Sequence, residues 1–185
     1  MPVQVIVLNG SSSSGKSSIA RCLQSLLPEP WLTLGVDDFL TAMPPAMLAS
    51  DHGIVFAADG KITVGPGVRR LEAAWSQGVA AMARAGAGII LDMVFLQGAT
   101  AQIRWKNVLA GLEVLWVGVQ CDPLVATARE AARRDRVPGM AATQARLVHQ
   151  GMAYDLQVDT TYCSSEDCAR SIVDHVVARS GPAAR

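Results

Sequence analysis

Residues 10–17 read GSSSSGKS and match the phosphate-binding pattern G-x-x-x-x-G-K-[ST] at every fixed position. An apolar run at 3–8 precedes them, and a helical pattern begins near Lys16. In such a strand–loop–helix unit, backbone N–H groups and the helix N-terminus surround an anionic phosphate. The alternative is a flexible turn rich in serine and glycine, which the flanking strand and helix patterns disfavour. We therefore predict a nucleotide-binding loop.

Each fixed residue of this loop has a physical task. Gly10 and Gly15 carry no Cβ, so the neighbouring N–H groups can close around a phosphate. Lys16 can bridge the β- and γ-phosphates, and the Ser17 hydroxyl can ligate Mg²⁺. ATP and Mg²⁺ are the expected cofactors, although the sequence leaves the choice between ATP and GTP open. The predicted cofactor-binding residues are Gly10, Ser11, Ser12, Ser13, Ser14, Gly15, Lys16, Ser17 and Ser18.

Length and composition indicate one folded domain. The chain has 185 residues, of which 50% are hydrophobic and 17% charged, enough for one sizeable core. We expect a single domain over residues 1–179 and a frayed tail over 180–185.

Charge and hydropathy exclude several kinds of partner. The formal net charge is zero, with 16 basic and 16 acidic residues, so we expect no nucleic-acid partner. No apolar run is long enough to cross a membrane and no signal peptide is evident, so we expect no membrane association. The four cysteines form no C-x-x-C pair, and reduced thiols in the cytoplasm are expected. The oligomeric state stays open.

Strands and helices alternate along the chain. This alternation predicts an α/β fold with a five-stranded parallel sheet covered by helices on both faces. A hairpin is expected around the Asp-Gly pair at 59–60. Ligands of such sheets bind beyond the carboxyl ends of the strands, so the residues that follow each strand are the candidates for function. The predicted sheet strands lie at 3–8, 31–34, 88–92, 113–119 and 154–159.

Two aspartates follow the second predicted strand. Asp37 lies where a carboxylate could accept the proton of an attacking hydroxyl during phosphoryl transfer. It could instead bind Mg²⁺, or cap a helix that begins near Phe39. Two adjacent aspartates allow both tasks, with Asp38 capping and Asp37 reacting. We favour Asp37 as the general base.

Asp92 ends the predicted strand at 88–92. Four apolar-type positions followed by an aspartate are typical of a second nucleotide motif, in which the carboxylate holds Mg²⁺. A contact to substrate or a capping role explains this residue equally well. The predicted metal ligands are Ser17 and Asp92.

An arginine-rich helical stretch follows the fourth predicted strand. Arg133 and Arg136 are three residues apart and share one helical face. They could close over the phosphates as part of a lid at about 123–149 and neutralise charge in the transition state. The alternative is a solvated face on which Glu130 and Asp135 pair locally. We favour the lid.

The histidines and several apolar side chains carry weaker signals. His52, His149 and His175 have no obvious partners and are expected to be surface or packing residues. The apolar residues after the second and third strands could line a substrate pocket, although core packing explains them nearly as well. These residues are Phe39, Met43, Met47, Phe95 and Leu96.

Several stretches resemble the chloramphenicol 3-O-phosphotransferase family of actinomycetes. They lie at 6–10, 21–25, 27–31, 35–37, 114–119 and 139–142, and the similarity extends over almost the whole chain. The resemblance implies a nucleoside-kinase-like P-loop fold in three layers with a five-stranded parallel sheet. It also implies transfer of the ATP γ-phosphate to the primary 3-hydroxyl of chloramphenicol, which inactivates the antibiotic. A kinase of another hydroxylated metabolite and a nucleotide-dependent regulatory switch are the alternatives.

The same resemblance assigns roles to individual positions. The family's phosphate loop falls on residues 10–17, its catalytic aspartate on Asp37 and its lid arginines on Arg133 and Arg136. Two positions depart from the family. Asp38 stands where the family has a non-acidic residue, and Met93 replaces an aspartate. Both positions are expected near the part of the site that binds the phosphoryl acceptor, so they bear on which acceptor is used.

Overall fold

A computed structural model describes residues 2–49, 53–56, 62–132 and 139–180. The strands in chain order are β1 (Val5–Asn9), β2 (Trp31–Gly35), β3 (Ile54–Phe56), β4 (Ile62–Val64), β5 (Gly88–Met93), β6 (Val114–Gln120) and β7 (Leu156–Asp159). The helices are α1 (Lys16–Leu26), α2 (Val36–Ala42), α3 (Pro66–Arg84), α4 (Ala99–Val108), α5 (Pro123–Ala131), α6 (Met140–Leu147) and α7 (Ser165–Ser180). A 3₁₀ helix, Pro45–Ala49, follows α2.

Five parallel strands form the central sheet in the order β2-β5-β1-β6-β7. After β1 the chain runs to β2 at one edge of the sheet, and after β6 it runs to β7 at the opposite edge. Connections that diverge in this way open a crevice at the carboxyl ends of the strands. The predicted five-stranded parallel α/β fold is confirmed. The short strands β3 and β4 pair antiparallel, separate from this sheet, and the predicted turn at 59–60 lies outside the described residues.

The core lies on both faces of the sheet, because successive side chains of a strand point to opposite faces. Ile6 and Leu8 of β1 pack under α1 and α7, whereas Val5 and Val7 pack under α3 and α4. All five residues of β1 are buried. This two-sided burial explains the continuous apolar run that predicted the strand.

A third, smaller apolar cluster joins β3 to the α2 region and the start of α3. Phe39 and Met43 of the α2 region pack there with Ile54 and Val68. Phe95 belongs to the main core, with its ring centroid 6.3 Å from that of Trp116. Phe39, Met43 and Phe95 are therefore packed in apolar clusters, and their role in lining a substrate pocket stays a prediction.

The start of α2 differs from the prediction. The helix begins at Val36, not near Phe39, so Asp37 and Asp38 both lie in its first turn. The reason is local: the extended Gly35 at the end of β2 serves as the N-cap residue. Its N–H donates to Asp38 Oδ2 at 2.7 Å, which is one half of a capping box.

No helix within the described ranges is long and apolar enough to span a membrane. Residues 181–185 lie outside those ranges, so the expected frayed tail stays a prediction.

Gly118 of β6 allows an aromatic ring to approach the sheet. A Cβ built there would lie 2.8 Å from two ring carbons of Tyr154, closer than packed carbon atoms approach each other. We expect Gly118→Ala to lower the free energy of unfolding by about 1–3 kcal/mol, because the half-buried ring must move. Urea denaturation measures this change.

Gly78→Ala is the matched control. Gly78 is exposed in α3, and a Cβ added to it would meet no atom within 4 Å. That substitution should raise the free energy of unfolding by about 0.5–1 kcal/mol, since alanine is the better helix former. Equal effects at the two glycines would contradict the packing argument.

Candidate nucleotide-binding site

The loop between β1 and α1 wraps around the start of the helix. Gly15 precedes α1 with a φ of 91°, a conformation that favours glycine. Ser13 also has a positive φ, of 59°. Lys16, the first residue of α1, is only 5% exposed, and its Nζ donates to the Ser11 carbonyl oxygen at 2.8 Å. The ammonium group therefore folds back over the loop.

Buried hydroxyls inside the loop are left without partners. The Oγ atoms of Ser12, Ser13 and Ser14 are all inaccessible and form no hydrogen bond to any described residue. Buried polar groups are normally paired, so unpaired hydroxyls at one place fit a ligand that accepts hydrogen bonds. A phosphate chain has many such oxygens. The residues present thus fit the phosphate chain of a nucleotide.

Ser17, Lys16 and Asp92 come together at one side of the loop. Ser17 Oγ donates to Asp92 Oδ2 at 2.5 Å, and Lys16 Nζ lies 3.7 Å from Asp92 Oδ1. Asp92 reaches this position because β5 pairs with β1 in a register that aligns Leu8 with Asp92. A serine hydroxyl and a carboxylate are oxygen ligands of the kind that Mg²⁺ prefers. Ser17 and Asp92 could therefore hold the predicted metal.

The two aspartates of α2 lie beside this cluster. Gly35, at the end of β2, pairs in register with Asp92, which brings the first turn of α2 next to the metal candidates. The carboxylate of Asp38 caps the helix, as described above. Asp37 is exposed in the same turn. Asp38 thus takes part in the capping box as its N3 residue, and the role of Asp37 as general base stays a prediction.

The remaining predicted residues lie elsewhere. Ser18 Oγ accepts a hydrogen bond from Arg21 at 3.5 Å on the surface of α1. Arg133 and Arg136 fall outside the described residues, so their role in a lid stays a prediction. His52 falls outside them as well.

Three residues that the sequence analysis did not single out support the loop. Gln144 of α6 is buried, and its Oε1 accepts the N–H of Ser12 at 2.7 Å. Thr160, directly after β7, donates from Oγ1 to the Ser14 carbonyl oxygen at 2.8 Å. Arg129 of α5 in turn donates to the Thr160 carbonyl oxygen at 2.8 Å. The position of Thr160 at a strand end was the one available signal.

A buried carboxylate joins α5 to α6. Glu130 is 4% exposed, and its two oxygens accept the N–H groups of Gly139 and Ala141 at 2.8 and 2.9 Å. An acceptor at a helix N-terminus satisfies amides that have no partner within the helix. This contact replaces the predicted alternative, in which Glu130 pairs with a neighbouring charge on a solvated face. Glu130 fixes the start of α6 and hence the position of Gln144.

His149, expected to have no partner, has one. Its Nδ1 lies 2.7 Å from the Tyr154 hydroxyl, and the two rings meet edge to face at 5.7 Å. Burial and the nearby positive charge of Lys16 both lower the pKa of His149 below 6.5. Burial also raises the pKa of Tyr154 to about 12. At neutral pH both side chains are uncharged.

A family model described as "Chloramphenicol phosphotransferase-like protein" matches residues 3–177 of this chain. Two proteins from Mycobacterium tuberculosis, strains CDC 1551 and H37Rv, are each 32% identical to it over 183 residues. Each alignment covers 91% of this chain and 80% of the relative. Both carry the name "Putative O-phosphotransferase".

Solved structures with a similar fold include several kinases. The Mycobacterium tuberculosis APS kinase, in complex with AMPPNP and APS, has a TM-score of 0.61 at 17% identity and covers 94% of this chain and 96% of its own. Shikimate kinase from Acinetobacter baumannii, in complex with shikimate, has a TM-score of 0.58 at 15% identity, with coverage of 96% and 94%. The Deinococcus radiodurans tunicamycin resistance protein has a TM-score of 0.59 at 18% identity, with coverage of 97% and 96%. These likenesses establish the P-loop kinase fold.

Gln144 provides a test of how the loop is held. Gln144→Leu leaves the Ser12 N–H unpaired, so we expect a loss of about 1–3 kcal/mol in the free energy of unfolding. The loosened loop should also bind Mg·AMPPNP, an ATP analogue, roughly tenfold more weakly, which calorimetry measures.

Gln102→Leu serves as the comparison. Gln102 is another buried glutamine, and it holds both the carbonyl and the N–H of Ala153 without touching the loop. The Gln102→Leu substitution should lower the free energy of unfolding by a similar amount and leave the affinity for Mg·AMPPNP unchanged. An unchanged affinity in Gln144→Leu would refute its role in the loop.

Proposed function

The chain belongs to the chloramphenicol phosphotransferase-like family, and we propose that it transfers the γ-phosphoryl group of ATP to a hydroxyl of a small molecule. The preferred acceptor in this proposal is the primary 3-hydroxyl of chloramphenicol, in the cytoplasm. One observation supports the proposal most. The Lys16–Ser17–Asp92 cluster lies at the carboxyl ends of the strands beside the exposed carboxylate of Asp37.

In this proposal the loop binds and orients ATP. The hydroxyls of Ser12, Ser13 and Ser14 donate hydrogen bonds to phosphate oxygens, and Lys16 neutralises their charge. Ser17 and Asp92 hold Mg²⁺, which when bound withdraws charge from the phosphate oxygens. Such positioning and charge stabilisation account for most of the rate in phosphoryl transfer.

Asp37 is proposed to act on the acceptor. Its carboxylate takes the hydroxyl proton as the acceptor oxygen forms a bond to the γ-phosphorus. The bond between that phosphorus and the bridging oxygen breaks, and ADP leaves with the electron pair. The neighbouring Asp38 carboxylate is instead held at the helix start by the Gly35 N–H. Arg133 and Arg136 are proposed to neutralise charge on the transferring group.

Asp37→Asn tests the assignment of the base. We expect kcat to fall by roughly 10²–10⁴-fold, because the amide cannot accept the hydroxyl proton, while the Kd of Mg·ATP stays near that of the parent protein. Rapid-quench assays and calorimetry measure the two quantities.

Asp38→Asn is the neighbouring control. It weakens the helix cap, so it should cost about 1 kcal/mol of stability but keep most of the turnover. An Asp37→Asn protein with full activity, or an Asp38→Asn protein as inactive as Asp37→Asn, would overturn the assignment.

The acceptor is tested by ATP turnover with Mg²⁺, with and without chloramphenicol. We expect turnover to depend on chloramphenicol and to vanish with its 3-O-acetyl analogue, which has no free 3-hydroxyl. Turnover with the analogue equal to that with chloramphenicol would exclude the 3-hydroxyl as acceptor. Binding of ATP without chloramphenicol-dependent turnover would direct the search to other hydroxylated metabolites, with Asp38 and Met93 as the first residues to vary.

A further inference from the structure

His149 follows α6 and lies at one end of a chain of side-chain hydrogen bonds. Its Nδ1 contacts the Tyr154 hydroxyl at 2.7 Å, and that hydroxyl contacts Asn9 Nδ2 at 2.6 Å. Asn9 is the last residue of β1, directly before the phosphate loop, and is fully buried. This series of hydrogen bonds therefore connects the start of the phosphate loop to His149, which lies just beyond α6.

The orientation of the Asn9 carboxamide is fixed by two backbone groups. Its Oδ1 accepts the Phe95 N–H at 2.9 Å, and its Nδ2 donates to the Val148 carbonyl oxygen at 2.7 Å. Exchanging the oxygen and the nitrogen would set donor against donor and acceptor against acceptor. The second Nδ2 proton must therefore point to the Tyr154 oxygen.

This orientation determines where the protons of Tyr154 and His149 lie. Because the Tyr154 oxygen already accepts from Asn9, its single proton is available to His149 Nδ1, and no other acceptor among the described residues lies in range. Nδ1 is then an acceptor, so the neutral imidazole carries its proton on Nε2. The network thus selects one tautomer.

The selected Nε2–H has no protein partner in the described part of the chain. The ring is half-buried and close enough to Lys16 for that ammonium group to affect its protonation. Val148, the residue before His149, accepts a hydrogen bond from Asn9, the last residue of β1 before the loop. His149 therefore carries a neutral donor close to the start of the phosphate loop.

We propose that His149 is a further nucleotide-contacting residue, whose Nε2–H donates a hydrogen bond to an oxygen of the phosphate chain that Lys16 holds. This inference rests on the proposed function only in requiring that the loop binds a nucleotide. Asn9 and Tyr154 are positioning residues, which orient the ring and select its tautomer. A neutral donor adds a directed hydrogen bond without competing with Lys16 for negative charge.

The tautomer and the contact are observed together by long-range ¹H–¹⁵N NMR of the whole protein. In the free protein we expect the Nε2–H form. Mg·AMPPNP at saturation, established by calorimetry, should shift the Nε2 resonance, whereas chloramphenicol alone should leave it unchanged. An Nδ1–H tautomer, or an unchanged Nε2 resonance in the Mg·AMPPNP complex, would overturn the proposal. A shift with chloramphenicol alone would also overturn it, by assigning the donor to the acceptor substrate.

Variants separate this contact from a purely structural role. His149→Leu should weaken Mg·AMPPNP binding about tenfold, and His149→Gln, which keeps a donor, should recover most of the loss. Tyr154→Phe removes the group that selects the tautomer and should show both tautomers by NMR. Lower stability with unchanged Mg·AMPPNP affinity in His149→Leu would mean that the histidine only packs. Failure of the parent protein to bind Mg·AMPPNP would instead refute the nucleotide site itself and, with it, this proposal.

Discussion

The site depends on one requirement: the amides of the phosphate loop must be held in place by groups other than the ligand. Gln144 takes the Ser12 N–H, and Thr160 donates to the Ser14 carbonyl. Asn9 secures the strand from which the loop departs. With these backbone groups paired, the serine hydroxyls inside the loop remain for an anion. An anion site preorganised in this way needs little rearrangement on binding.

The charged groups around the loop also stabilise one another. Lys16 is buried, and the carboxylate of Asp92 lies 3.7 Å from its ammonium group. A buried cation without a nearby anion would be costly, so Asp92 stabilises the lysine in the absence of nucleotide. Burial lowers the pKa of His149, and the positive charge of Lys16 lowers it further, so the neutral imidazole is favoured. Among the described residues, the positive charge of Lys16 is thus balanced by Asp92 and lies over the loop.

The sequence was sufficient to predict the sheet, because the buried strands are continuous apolar runs such as that at Val5–Asn9. Lys16, Ser17 and Asp92, predicted from the loop motif and a strand end, do lie together, and their binding of phosphate and Mg²⁺ stays a prediction. The sequence failed at the start of α2, where an extended glycine, not an aspartate, occupies the N-cap. It also did not predict the hydrogen bonds of Gln144 and His149. Gln144 contacts Ser12, 132 residues away, and His149 contacts Tyr154 within the segment between α6 and β7, so no helix or strand period encodes either contact.

The distances along the chain between the loop and its supports have a consequence for biosynthesis. Ser12 and Gln144 are separated by 132 residues, and Ser14 and Thr160 by 146. Contacts of such high sequence separation form late, and a ribosome delivers the amino-terminal part of the chain first. The phosphate loop is therefore translated before the residues that support it and is among the last segments to acquire its final geometry. A nascent chain that ends before α6 contains the whole motif and lacks the supports that shape it.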